Sequence, residues 1–130
     1  MLIDDDDIFN LLNGKVIENS DMGSEIAVFT TAQSALEDLR SRLSDPSRLP
    51  EFLLVDIRMP GMDGFGFLEA FHQLPGTEWQ RINIFMLTSS LDERDQDKAQ
   101  RYPQVKGFFS KPLTQETLEE MDRLIHVRSL

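Results

Sequence analysis

FLLVDIRMPGMDG, residues 52–64, decides how the chain folds. Phe52 to Val55 is an unbroken apolar run of strand length, closed by Asp56 and followed by the turn residues Pro60 and Gly61. A half-exposed strand alternates apolar with polar, whereas a strand covered by helices on both faces is apolar throughout. The run therefore predicts a central strand of a parallel sheet, with its acid at the carboxyl end. INIFML (82–87) reads the same way and ends at Thr88.

Outward from these two runs the chain alternates. MLI (1–3), EIAVF (25–29) and VKGFFS (105–110) supply three more strand-length runs. Between them lie stretches with helical spacing. Ile8, Leu12 and Val16 form one stripe, with Asp6 and Asp7 placed to cap free amides and complement the helix dipole. Ala32, Ala35, Leu36, Leu39 and Leu43 form a second, with Thr30-x-x-Gln33 as a capping box. Phe67, Phe71 and Leu74 form a third, stopped by Pro75-Gly76. Leu118, Met121 and Ile125 form the last, with Thr114 as N-cap. LDERDQDKAQ (91–100) fits a helix but is almost wholly polar, leaving Leu91, Ala99 and Tyr102 to anchor it. Five strands alternating with five helices predict a flavodoxin-like, doubly wound α/β fold with strand order 2-1-3-4-5 in one domain, residues 1–130.

Ligands of such sheets sit beyond the carboxyl ends of the strands. There the sequence places Asp4 and Asp5, Asp56, Thr88 and Lys111; only the second strand ends blandly, in Thr30-Thr31. In the order 2-1-3-4-5, strands one and three are neighbours about 4.8 Å apart, so the three acids converge. Two carboxylates about 5 Å apart repel by roughly 3 kcal/mol at an effective dielectric of 20. Three such pairs approach the whole stability of a domain, about 5–15 kcal/mol. Such a cluster invites a cation, and all-oxygen donors without His or Cys suit Mg²⁺. A divalent ion beside a carboxylate, a hydroxyl and a lysine is the equipment of phosphoryl transfer.

Bulk composition narrows the partners. The 130 residues are 40% hydrophobic and 28% charged, as in an ordinary globular domain. A net charge of -10 argues against direct binding of nucleic acid or an anionic membrane. There is no cysteine, which excludes disulfides and thiolate metal sites. Without a span-length apolar run or a signal peptide, a cytoplasmic protein is expected. His72 and His126 read as solvated residues and Trp79 as local packing.

LIDDD (2–6), LLVDIRMPGMDG (53–64), MLTSS (86–90) and FSKP (109–112), in this order and each at a strand end, resemble the receiver domain of bacterial two-component response regulators, of the single-domain type that resembles chemotaxis regulators. The resemblance covers essentially the whole chain. It implies a signalling switch rather than an enzyme. Asp56 would accept a phosphoryl group from a histidine kinase or a histidine phosphotransfer protein. Asp4 and Asp5 would be the acid pair at Mg²⁺, Asp5 the more direct ligand and Asp4 acting through water, with the backbone carbonyl of Arg58 as a further ligand. Thr88 would bond the phosphoryl group, Lys111 would pair with it, and the Lys111–Pro112 peptide would be cis. Phe108 would be the aromatic switch that reshapes the surface of the fourth helix, fifth strand and fifth helix for a downstream protein target. Arg58 and Ser90 stand where the family tunes loss of the phosphoryl group. Two departures stand out: Phe108 replaces the familiar tyrosine, and only three residues precede Asp4.

Other readings share parts of this pattern. A haloacid-dehalogenase-type phosphohydrolase also uses acids, a hydroxyl, a lysine and Mg²⁺, but its D-x-D-x-T/V signature fails at Asp4-x-Asp6-x-Ile8 and at Asp5-x-Asp7-x-Phe9. A receiver-like module that is never phosphorylated would not need the full residue set. A receiver cut from a longer regulator or hybrid kinase would look identical, and the lack of a linker after Ser129 favours a stand-alone protein.

Overall fold

The computed structural model describes residues 1–20 and 25–126. Five parallel strands form one sheet: β1 (Leu2–Ile3), β2 (Val28–Phe29), β3 (Phe52–Asp56), β4 (Asn83–Thr88) and β5 (Val105–Ser110). Their spatial order is β2-β1-β3-β4-β5, as the sequence predicts. The five α-helices are α1 (Asp7–Glu18), α2 (Ala32–Arg42), α3 (Gly64–Phe71), α4 (Glu93–Ala99) and α5 (Gln115–His126), with short 3₁₀ turns at Pro46–Arg48 and Glu78–Arg81.

Both faces of the sheet are covered. Leu53, Val55, Ile84 and Met86 pack with Ala35, Leu39, Phe67, Phe71 and Trp79 on the side of α2 and α3. Leu2, Leu54, Phe85 and Leu87 pack with Ile17, Leu118 and Met121 on the side of α1 and α5. Every residue of β3 and β4 is buried, the property that their unbroken apolar runs predict.

Several local expectations are corrected. The buried residues of α1 are Asn10, Asn13 and Ile17; of the expected stripe only Val16 packs against the core, partly buried, while Ile8 is 69% and Leu12 43% exposed. Both asparagines are tied to the rest of the fold: Asn10 Nδ2 donates to the Asp4 carbonyl at 2.8 Å, and Asn13 Oδ1 accepts from the Leu113 N–H at 2.7 Å. α2 is capped one residue later than the capping box implied, by Thr31, whose hydroxyl accepts from the Ser34 N–H. β2 is two residues long, not five. Leu91 is exposed and does not anchor α4, whose buried contact is Ala99. His72 is half-buried among the rings of Phe71, Trp79 and Tyr102 rather than solvated. The caps at Asp6 and Thr114 form as expected.

β5 carries an irregularity. Ile84 pairs with Val105 but Phe85 pairs with Gly107, so Lys106 is an extra residue in the strand. Beyond it, Phe108 pairs with Met86 and Ser110 with Thr88.

Candidate functional site

The carboxyl ends of β1, β3 and β5 bring four charged side chains together. Asp4 follows β1 directly, and its neighbour Asp5 faces solvent. Asp56 is the last residue of β3, and Lys111 follows β5. One carboxylate oxygen from each of Asp4, Asp5 and Asp56 lies within 4.8 Å of the others. Lys111 Nζ is 2.9 Å from Asp4 Oδ2 and 3.3 Å from Asp56 Oδ1. The Lys111 side chain is only 5% exposed and the two acids it pairs with are comparably buried. The Lys111–Pro112 bond is cis.

Three carboxylates against one ammonium leave the cluster short of positive charge. Burial first, then the Asp4 carboxylate, push Asp56 up to about 6, and Lys111 and the Arg58 N–H offset this only in part. Lys111 moves upward too. Burial opposes its charge, but the hydrogen bond to Asp4 and the charges of Asp56 and Asp4 outweigh it. An oxygen-only donor set with surplus negative charge fits a hard divalent cation such as Mg²⁺.

The turn after β3 positions Asp56. Gly61 has φ +75°, a left-handed conformation that favours glycine. Gly64 is required for a different reason: a Cβ there would lie 2.6 Å from the Asp56 carbonyl oxygen and 2.9 Å from Ile57 Cα. The first turn of α3 thus presses on the strand end, held by the Gly64 N–H donating to the Ile57 carbonyl at 2.9 Å. Asp63 caps the helix by accepting from the Gly66 N–H.

The remaining predicted residues surround the cluster. Thr88 ends β4 and is buried; its hydroxyl donates to the Ser90 carbonyl at 3.0 Å and accepts from the Ser90 N–H at 3.2 Å. Arg58 reaches sideways to Asp95 on α4, at 2.8 Å. Phe108 is half-buried against the α2–α3 side of the core and borders a shallow cleft of about 180 Å³ with Gln96, Ala99 and Gln100 of α4 and its cap. Sequence reasoning missed Phe9, whose ring lies 4.3 Å from Lys111 Nζ, and Asn13, which holds the chain just after Pro112. The spacing Asn10, Asn13, Ile17 was the available signal, hidden by a rival apolar stripe.

A doubly wound sheet with an acidic, cation-ready cluster at the point where strand order reverses defines a class of α/β ligand sites. The sequence profile of the response regulator receiver domain matches residues 1–123, and the chain belongs to that family. A two-component response regulator from Cytophaga hutchinsonii is 34% identical, with a TM-score of 0.88 over 96% of this chain and 94% of that one. A response regulator receiver protein from Dyadobacter fermentans is 29% identical, with a TM-score of 0.82 over 94% of this chain and 92% of that one. A probable methanogenesis regulatory protein, FilR2, from Methanothrix harundinacea is 28% identical over 120 residues, 92% of this chain and 75% of that protein. The chain is therefore a signal-transduction receiver domain. Among the described residues, no helix is long and apolar enough to cross a membrane.

Proposed function

We propose that this domain is a phosphoacceptor switch, with Asp56 as the acceptor and Mg²⁺ as the required cation. The observation that carries the reading is the convergence of Asp4, Asp5, Asp56 and Lys111 at one strand edge. Asp56 Oδ attacks the phosphorus of a phosphohistidine. The P–N bond breaks, the imidazole nitrogen leaves with the electron pair, and an aspartyl phosphate forms. Lys111, already paired with Asp56, balances charge on the phosphoryl oxygens. Both Asp4 oxygens are engaged, Oδ2 by Lys111 and Oδ1 by the Asp6 N–H, which supports Asp5 and Asp56 as direct ligands and Asp4 as an indirect one. The Arg58 carbonyl would complete the protein ligands. When bound, the ion neutralises negative charge on the acceptor and the phosphoryl group. Thr88 would exchange its Ser90 bonds for a phosphoryl oxygen, and Phe108 would follow it, altering the α4-β5-α5 surface that a protein target reads. Arg58 and Ser90 would tune phosphoryl loss.

The phosphodonor would be a histidine kinase or a histidine phosphotransfer protein in the cytoplasm. Exposed Ile8, Leu11 and Leu12 on α1, the helix that starts beside Asp5, offer apolar surface for such a protein near Asp56. The net charge of -10 disfavours nucleic acid as a direct partner.

Incubation with Mg²⁺ and acetyl phosphate, followed by intact mass measurement, tests the reading. Wild type should gain one phosphoryl group and Asp56→Asn none. Gain by the variant, or by neither protein, overturns it.

A further inference from the structure

We propose that Phe9 is a positioning residue for Lys111, holding the ammonium in place through the face of its ring. The proposal rests on the phosphoacceptor reading above. A lysine is a point charge on a flexible four-carbon stem, so it is useful at a phosphoryl site only if something fixes it. Three partners converge on Nζ: Asp4 Oδ2 at 2.9 Å, Asp56 Oδ1 at 3.3 Å and the centroid of the Phe9 ring at 4.3 Å. The last distance is well inside cation–π range.

The three partners differ in how they behave during the cycle. Asp56 changes its charge and bonding when it carries a phosphoryl group, and Asp4 shares its charge with any cation at the cluster. The ring does neither, so it is the one partner of constant strength. Its position is also fixed independently of the acids. The Asp6 side chain accepts from the N–H groups of Ile8 and Phe9, which sets the first turn of α1. One turn further, Asn13 accepts from the Leu113 N–H, tying the segment after Lys111–Pro112 to the same helix. The lysine and the ring are thus both referred to α1.

The competing explanation is that Phe9 merely covers the aliphatic stem. Phe9→Leu keeps apolar cover and removes the ring face; Phe9→Tyr keeps both. In the unphosphorylated protein, NMR of the Lys111 side chain should show ring-current-shifted Hε protons in wild type and Phe9→Tyr, and unshifted ones in Phe9→Leu. With Mg²⁺ and acetyl phosphate, Phe9→Leu should gain its phosphoryl group about three- to tenfold more slowly than wild type, with Phe9→Tyr near wild type. A wild-type rate in Phe9→Leu, or a rate in Phe9→Tyr as slow as in Phe9→Leu, overturns the proposal. Failure of wild type itself to gain mass overturns the phosphoacceptor reading instead; Lys111 resonances unchanged in Phe9→Leu would then overturn this proposal separately. Should Phe9→Leu not fold, Phe9→Met replaces it with the same expected outcomes.

Discussion

Asp56 is buried beside Asp4, and folding must hold its charge there with one lysine as compensation. With the acid raised from 3.8 to about 6, the folded chain is favoured by the protonated form. That stability is fully present below the unfolded value of 3.8 and is lost as pH rises through about 6. At neutral pH and without divalent cations, Asp56→Asn should therefore be more stable than wild type, by about 1–3 kcal/mol, a range that allows for solvent at the mouth of the site. Urea unfolding in EDTA measures it, and an unchanged or lower midpoint contradicts the account. Gly64 is a second sensitive position. Any side chain there meets backbone atoms of Asp56 and Ile57, so Gly64→Ala should cost about 1–3 kcal/mol and slow phosphoryl gain. Asp4, Asp56 and Lys111 were legible in the sequence because a strand end followed by a charged residue is a local pattern. Gly64 was legible only as the last residue of the motif LLVDIRMPGMDG, because its reason is a close approach between two elements.

At the scale of elements, sequence reading was sound where burial and apolarity coincide and weak where they part. β3 and β4 are buried throughout, and apolar but for Asp56, Asn83 and Thr88 at their ends. α1 reverses the rule, with Asn10 and Asn13 inside and Ile8, Leu11 and Leu12 outside. Its inward face is specified by an acceptor just after β1 and a donor after β5, which the apolar stripe within α1 hides. Asn13→Leu should therefore destabilise the domain despite its greater apolarity. It leaves the buried Leu113 N–H unpaired, at a cost of about 1–3 kcal/mol seen as a lower urea midpoint. α4 is polar, and its neighbour Tyr102 bridges to α3 by donating its hydroxyl to Glu69. That bond, aided by partial burial and the Glu69 charge, pushes the phenol up to about 12. The folded chain then keeps a proton that the unfolded chain loses near 10, so stability falls as pH rises from about 10 toward 12. Tyr102 is the chain's single tyrosine, so absorbance at alkaline pH follows it alone. Glu69→Gln should bring its midpoint back toward 10.

For the whole molecule, strand order was predictable because a five-strand α/β pattern has few favoured windings, and the acids at the ends of β1 and β3 select one that makes them neighbours. The resulting concentration of negative charge predicts strong linkage between cation binding and folding. Mg²⁺ at about 100 times its dissociation constant should stabilise wild type by about 2.7 kcal/mol. Asp5→Asn should lose most of that gain while remaining folded in EDTA, as thermal melts with and without Mg²⁺ would show.

The extra residue in β5 has a consequence for how relatives of this chain can vary in length. Val105 and Phe108 face the same side of the sheet although three positions separate them, because the register shifts by one residue between Val105 and Gly107. The strand thus has two registers joined at a joint, one for its entry and one for its functional end. A chain shorter by that one residue would keep Phe108 opposite Met86 and Lys111 beside Thr88, with strict alternation restored. The structure marks residue 106 as a place where a single-residue deletion leaves the acidic-cluster end of the sheet in frame.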